Sequence, residues 1–261
     1  MPMRMYAPSP RLAGRVVTLF VAENAAGEVP VLPVTGAVMG VQYRGRILAE
    51  QGPLSQAGVT GLQSRMRRFI HPESTGSILV RFTAQGAACL GVPAAQLIDR
   101  SVALEDLFGR ARSAELCERL CEARNDLARA LVIEQFLTSL PFANDALVAR
   151  ATDLLTRDAP LSVAKTAELL GVSERQLERR FRNRIGIGPK PFARLARFER
   201  AVAAAVALPA SGARTAVNDP STVPSLAAIA QRAGYYDQSH LARDVRQFAG
   251  VTPGQLFIQP R

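Results

Sequence analysis

Two histidines, three cysteines and two lysines among 261 residues leave several kinds of chemistry without material. Cys89, Cys117, Cys121, His71 and His240 fall in neither a CxxC nor an HxxxH spacing, so no structural zinc site is expected. Three cysteines are also too few, and odd in number, for a disulfide scaffold. A catalytic triad or facial metal triad has almost no histidine to draw on. The chain contains no G-x-S-x-G elbow, P-loop or dinucleotide fingerprint. We therefore expect no enzyme, no metal and no cofactor. No stretch approaches the roughly 18 to 20 apolar residues of a membrane span, and the start, MPMRMYAPSPRLAGR, has no apolar core of a secretory signal. The expected location is the cytoplasm, with no membrane contact. Low-complexity repeats are missing too. With 48% hydrophobic and 21% charged residues, the chain is of globular composition, long enough for one large or two ordinary domains.

Arginine is abundant. Thirty of the 32 basic residues are Arg, and the net charge is +10. Residues 1–149 carry +2 and residues 150–261 carry +8. A basic DNA-binding domain joined to a near-neutral partner domain has this profile, and forked guanidinium groups suit phosphate and guanine. Charge alone equally fits a membrane-surface or RNA-binding module, so it sets a class and not an identity.

From about 14 to 85, short β-branched runs are broken by Gly and Pro: Val16 to Val21, Val29 to Val34, Ala37 to Tyr43, Ile47-Leu48, Val59-Thr60, Arg67 to Ile70 and Ser77 to Phe82. These predict a small antiparallel β domain. After Gly91 the period becomes helical, with a start at Pro93, a stop at Leu97/Ile98 and amphipathic stretches at about 112 to 123 and 125 to 139. From Ala146 to Phe257 nearly everything has helical period except 208–224, LPASGARTAVNDPSTVP, whose composition reads as a loop or linker. The expected fold class is α+β, divided into a β-rich regulatory domain at 1–110, a helical bridge at 111–145 and an all-α domain at 146–261 with two helix-turn-helix units.

The first unit is LSVAKTAELLGVSERQLERRFR, 161–182. Val163, Ala167 and Leu170 make one core stripe, Gly171 supplies the left-handed residue of a sharp turn, and Ser173 with Gln176 forms a capping box for the next helix. In that helix Leu177 and Phe181 face the core, while Arg175, Arg179 and Arg182 lie at i, i+4, i+7 on another face. Arg can donate two bonds to guanine O6 and N7, and a helix fits the major groove. The same face also fits a solvated helix side, salt-bridged through Glu174 and Glu178.

The arrangement recurs at 225–249, SLAAIAQRAGYYDQSHLARDVRQFA, and the recurrence favours the DNA reading. Leu226, Ile229 and Ala230 form the inner stripe, Gly234 breaks the helix, and Asp237 caps a second one anchored by Leu241, Val245 and Phe248. Its outer face carries Gln238, Ser239, Ala242, Arg243 and Arg246, able to hydrogen-bond bases, touch a thymine methyl and hold phosphate. Between the units, PKPFARLARFERAVAAAVAL at 189–208 reads as a long alanine-rich helix. Seventeen or so residues span about 26 Å, a spacer suited to two recognition helices in grooves roughly 34 Å apart on one DNA face.

Residues 146–257 resemble the DNA-binding domain of the AraC family of bacterial transcription regulators. The resemblance rests on A-x-L-L-G-V-S-x-R-x-L-x-R-x-F at 167–181, the Gly186 to Pro191 entry to the linking helix, I-A-x-x-A-G-Y-x-D-Q-S-H-L-x-R at 229–243, and G-V-T-P at 250–253. It implies seven helices, base-facing positions at Arg175, Glu178 and Arg179 with Arg182 nearby in the first unit, and Gln238, Ser239, Ala242 and Arg243 in the second. Val245, followed by Arg246, stands where family members commonly carry Phe, which implies a less firmly packed second helix and a first unit that dominates sequence reading. The 208–224 linker is longer than usual, an insertion that costs little in closure entropy. In the first half, G-S-I-L-V-R-F-T-A-Q-G-A-A at 76–88, G-V-P at 91–93 and D-R-S-V-A-L-E-D-L-F-G at 99–109 are similar to a poorly characterised β domain that precedes AraC-type DNA-binding domains in many bacteria. Such domains sense a small-molecule effector or dimerise.

The remaining candidates have plainer readings. Cys117 and Cys121, at i, i+4 beside Leu116 and Leu120, suit core packing more than a soft metal or an oxidation sensor. His71 before Pro72 reads as an exposed loop residue, and His240 as a capping or phosphate-contacting residue. The stretch 112–139, with Leu116, Leu120, Leu127, Leu131, Ile133 and Leu137, has no sustained heptad; internal packing is favoured over a dimer-forming pair. The expected function is a sequence-specific DNA-binding transcription regulator that docks two recognition helices in successive major grooves, with RNA polymerase as protein partner and a homodimer left open. A non-specific architectural nucleic-acid binder is the alternative, and a repair enzyme with a reactive cysteine is a third reading.

Overall fold

The structure, a computed structural model, describes residues 3–50, 52–207 and 225–257. The predicted linker at 208–224 lies outside the described residues. The first half is built on strands β1 (Met3–Tyr6), β2 (Val16–Asn24), β3 (Gly27–Val31), β4 (Val38–Arg44), β5 (Leu48–Ala49), β6 (Gly52–Pro53), β7 (Ala57–Thr60), β8 (Arg67–His71), β9 (Thr75–Phe82) and β10 (Ser101–Ala103). They form an antiparallel six-stranded sheet in the order β1-β2-β9-β4-β7-β10 and a four-stranded sheet in the order β3-β8-β5-β6.

Register explains why these β-branched runs pair as they do. Leu19 stands opposite Val80, Val80 opposite Met39 and Met39 opposite Val59, a row of four fully buried side chains running across four strands. Val21, Ile78 and Val41 make the next row. A one-residue slip would turn both rows to the other face of the sheet. Full burial of each such side chain stabilises by roughly 1.5 to 3 kcal/mol, so the alternation sets the pairing.

Helices α1 (Ala94–Leu97), α2 (Leu104–Phe108), α3 (Arg110–Glu122) and α4 (Asp126–Thr138) follow. Leu116, Cys117 and Leu120 of α3, and Ala130, Ile133, Phe136 and Leu137 of α4, join the sheet residues in one core. Two apolar positions of the 112–139 stretch do not: Leu127 and Leu131 are exposed. On a 3.6-residue period they lie about one turn apart on the side of α4 away from Ala130, Ile133 and Leu137. The 112–139 stretch is therefore two-sided, packed within but apolar without.

His71 departs from its sequence expectation. It is the last residue of β8 rather than a loop residue, is 3% exposed, and its Nδ1 lies 2.7 Å from the Thr75 hydroxyl across the hairpin. The following His-Pro junction suggested a loop, but the strand continues to it because His71 pairs with Gly27 of β3.

The second half contains α5 (Ala146–Thr156), α6 (Val163–Leu169), α7 (Glu174–Ile185), α8 (Pro189–Ala207), α9 (Leu226–Ala233), α10 (Gln238–Ala249) and α11 (Pro253–Phe257). A second core joins Val148, Ala151, Leu155, Leu177, Phe181, Phe192, Phe198, Ile229, Leu241, Val245 and Phe248. No helix among the described residues is long and apolar enough to cross a membrane.

The two halves are stitched together. Leu62, from the loop after β7, is buried in the second core, and the Met66 N–H donates to the Phe248 carbonyl at the end of α10 over 2.6 Å. Gly61 packs so closely on the Leu97 carbonyl that no Cβ would fit. Asp99 anchors the same loop: its N–H donates to the Leu62 carbonyl (3.0 Å) and its carboxylate accepts from the Ser64 N–H (2.6 Å). It does so at φ +57°, a left-handed conformation that costs a non-glycine residue on the order of 1 kcal/mol or more. Farther along, Glu199 of α8 accepts from Arg81 of β9 and from the Thr35 N–H. Gln85 accepts from the Asp145 N–H and donates to Asn144, fixing the approach to α5.

Leu62→Ala should therefore cost about 2 to 3 kcal/mol, the lost transfer energy plus the cavity left behind, and calorimetry should resolve two unfolding steps where the parent shows one. His71 supplies a second test. Burial lowers its pKa below the ordinary 6.5, so the unfolded chain binds the extra proton first and stability falls as pH drops through about 6.5. His71→Gln removes that titration. Denaturant titrations at pH 7.5 and 5.5 should show the parent losing stability relative to the variant at the lower pH.

Candidate nucleic-acid interface

Local sequence dictates each helix-turn-helix unit. Ser162 caps α6 by accepting from the Lys165 N–H (3.1 Å), and Gly171 closes it at φ +66°. Ser173 opens α7 as a reciprocal cap: its hydroxyl accepts from the Gln176 backbone N–H (3.2 Å) while its own N–H donates to the Gln176 side-chain Oε1 (2.8 Å). A cap of this kind is worth roughly 1 kcal/mol. In the second unit Ser225 caps α9, Gly234 ends it at φ +78°, and the Asp237 carboxylate accepts from the His240 N–H (2.7 Å) to start α10.

Each recognition helix is anchored on one side and free on the other. Leu177 and Phe181 of α7 are fully buried, with the Phe181 ring edge-on to Phe192 at 5.6 Å. Arg175, Arg179 and Arg182 are exposed. Arg175 and Arg179 join Ser173 and Gln176 around a surface hollow of about 480 Å³. Glu178 is half-buried beside Gly188 at the start of α8, where the positive end of the helix favours its carboxylate, and it holds Arg182 at 2.9 Å. The other two arginines of α7 turn back: Arg180 pairs with Asp145 at 2.9 Å and Arg184 approaches it at 3.8 Å. Burial pushes the Asp145 carboxyl up, but the Val148 N–H and then Arg180 and Arg184 outweigh it and hold its pKa below the ordinary value.

On α10, Gln238, Ser239, Arg243 and Arg246 are exposed and Ala242 is half-buried. Leu241 and Val245 are fully buried and Phe248 nearly so, its ring 5.1 Å from Phe198. Val245 thus fills its place without leaving the helix loose, because a charged contact that the sequence reading missed helps to hold it. Asp244, 1% exposed, pairs with Arg194 of α8 at 2.5 Å, and Arg194 also donates to Gln247 at 2.8 Å. The signal lay in the sequence as an acid on the apolar stripe of an amphipathic helix, opposite an arginine-rich one.

Beside it, Arg197 donates to His240 Nε2 over 3.2 Å and lies over the Tyr235 ring. Arginine only donates, so this geometry makes His240 an acceptor there and turns its ring inward to α8 rather than outward to phosphate. Burial, then the neighbouring Asp244 carboxylate, pushes the Tyr235 phenol well above its ordinary pKa. Elsewhere burial raises the Cys89 and Cys117 thiols to about 11, which keeps them protonated at neutral pH. Among the described residues no cluster of His, Cys, Asp and Glu is placed to hold a metal.

A family model described as a helix-turn-helix domain matches residues 166–258. Residues 166–258 are an AraC-type helix-turn-helix domain. With it, the chain is a sequence-specific DNA-binding transcription regulator. No curated protein matches the chain. Among solved structures it is similar to ToxT from Vibrio cholerae, at 12% identity and a TM-score of 0.46, over 91% of this chain and 96% of that one. A ToxT structure with an unsaturated fatty acid bound gives 10% and 0.43, over 92% and 95%. The AraC-like transcriptional activator CuxR gives 14% and 0.29, over 76% and 86%.

The AraC-type domain stands on the α8 to α10 contact, and Asp244→Ala should lower stability by about 3 kcal/mol, at the low end for breaking a buried pair because Arg194 keeps access to water. Urea denaturation of the parent and variant measures it.

Proposed function

We propose that this regulator reads two short DNA boxes on one face of the duplex, α7 entering one major groove and α10 the next. The observation that carries the reading is that both recognition helices are docked on a single continuous helix. Phe181 of α7 packs on Phe192 near the start of α8, and Phe248 of α10 packs on Phe198 farther along it. Phe192 and Phe198 lie six residues, about 9 Å, apart on α8, so the helix fixes the orientation of α7 relative to α10, and the reach toward grooves roughly 34 Å apart on one DNA face comes from the two helices extending away from it.

In this reading Arg175 and Arg179 are the guanine readers of the first box, Arg182 holds phosphate, and Glu178 orients Arg182. In the second, Gln238 and Ser239 hydrogen-bond base edges, Ala242 meets a thymine methyl, and Arg243 and Arg246 neutralise phosphates. The unit at 146–261 reads DNA, and the β unit with its two packed helices regulates it. Its contacts with both α8 and α10, through Glu199 and Met66, support that role. A small-molecule effector on the β unit, and RNA polymerase as the protein partner, belong to the same proposal.

Selection of bound sites from sheared bacterial DNA at physiological salt, with full-length protein beside an Arg175→Ala/Arg179→Ala variant, tests it. The expected result is a motif of two short boxes about one helical turn apart that the variant loses. Enrichment without a motif, equal in both proteins, overturns the reading in favour of an architectural DNA coat. On the selected site Arg179→Ala should cost about 1 to 3 kcal/mol and relax one base position. An equal loss on random DNA reduces Arg179 to a phosphate contact.

A further inference from the structure

Tyr236 is 94% exposed, more than any other large apolar side chain among the described residues. Its position follows from a difference between the two helix-turn-helix turns. In the first, one residue, Val172, separates Gly171 from the cap Ser173; in the second, two residues, Tyr235 and Tyr236, separate Gly234 from the cap Asp237. Val172 and Tyr235 play the same part, tucked inward against the second core. Tyr235 is fixed there by the ring of His240, edge-on at 5.0 Å, and by the Arg197 guanidinium. Tyr236 is the additional residue. With its neighbour held inward, its ring stands out beside the first turn of α10, next to exposed Gln238 and Ser239.

Within the described chain this side chain packs on nothing, and a tyrosine ring left in water forgoes the large burial energy that aromatic residues contribute at interfaces. Its surroundings identify a partner. The residues that follow it are those assigned to the second DNA box, so a duplex engaged by α10 brings its sugar-phosphate edge to this turn. Tyrosine suits that edge, with an apolar face for the deoxyribose and a hydroxyl able to donate to a phosphate oxygen.

We propose that Tyr236 is a DNA-backbone contact of the second unit, its ring on a deoxyribose and its hydroxyl donating to a phosphate, positioning α10 in the groove. The proposal rests on the two-groove reading. A sugar-phosphate contact carries no base information, so its loss weakens every duplex alike.

The experiment measures binding of full-length parent, Tyr236→Ala and Tyr236→Phe to the two-box duplex and to a scrambled duplex, at two salt concentrations. Tyr236→Ala should bind both duplexes more than tenfold more weakly, since it loses the ring contact as well as a hydrogen bond to a charged group that is by itself worth about tenfold. Tyr236→Phe keeps the ring and should lie between it and the parent. The salt slope should be unchanged, because no cation is removed. Melting temperatures should match the parent, since the side chain is exposed. Parental binding of both duplexes by Tyr236→Ala overturns the proposal, and so does a loss confined to the two-box duplex, which would make Tyr236 a base reader. If the parent selects no motif the two-groove reading fails, while the comparison on the scrambled duplex still decides Tyr236.

Discussion

The regulator depends on the rigidity of α8. A helix holds side chains a few residues apart at fixed distances and angles, because each residue is tied into a continuous ladder of backbone hydrogen bonds. Here the ladder carries a docking point for each recognition helix: Phe192 for the first, and Phe198 with Arg194 and Arg197 for the second. The two docking points differ in kind. The first is apolar, while the second adds a buried ion pair and a histidine to the aromatic contact. Apolar contact is forgiving about angle, whereas a buried carboxylate aimed at one guanidinium is not. The second helix is the one whose angle the chain specifies by charge.

Much of this was legible in the sequence. The stripes, caps and glycines of α6, α7, α9 and α10 are local signals, and each was found where the periodicity placed it. The strands of the β unit were also legible as alternating runs, apart from β1, β6 and β10. β1 is MRMY, with arginine between methionines, at the edge of its sheet, and β6 and β10 have only two and three residues. None is a long enough apolar run to be recognised as a strand, and the short alternation of β1 is largely exposed. What stayed hidden depends on contacts between distant residues. That Leu62 belongs to the core of the other half, that His71 is buried, or that Asp244 meets Arg194 is set by how surfaces meet. No window of a dozen residues contains that information. Tyr236 is a middle case, since the extra turn residue is visible in the sequence and only the structure shows which tyrosine turns outward.

The docking of the β unit gives the regulatory proposal a mechanical form. The Met66 N–H ties the β unit to the end of α10 and Leu62 is buried in the second core, on a loop that Asp99 holds in place, while Arg81 and the Thr35 N–H meet at Glu199 on α8. Ala94 of α1 also lies against Gly186 at the end of α7, so a shift of the β unit reaches α7, α8 and α10. The left-handed backbone of Asp99 lies in that path. Strained residues persist where the surrounding contacts over-determine them, and a change in those contacts releases the strain.

The nature of this seam has one more consequence. DNA binding through many arginine-phosphate contacts weakens steeply as salt rises, because each contact returns counterions to solution. Among the described residues the seam between the β unit and α8 and α10 has the ion pair of Arg81 with Glu199, both largely shielded from water, beside the Thr35 N–H on Glu199, the Met66 N–H on the Phe248 carbonyl and buried Leu62 with Leu32, Ala84 and Ile98 packed on the same core. Salt screens such contacts far less. The ionic conditions that weaken arginine-phosphate contacts thus leave the two halves joined, with α7 and α10 held in the same relation to each other. The orientational entropy of arranging α10 relative to α7 is spent once, at folding, so under the two-groove proposal rebinding would not incur it again.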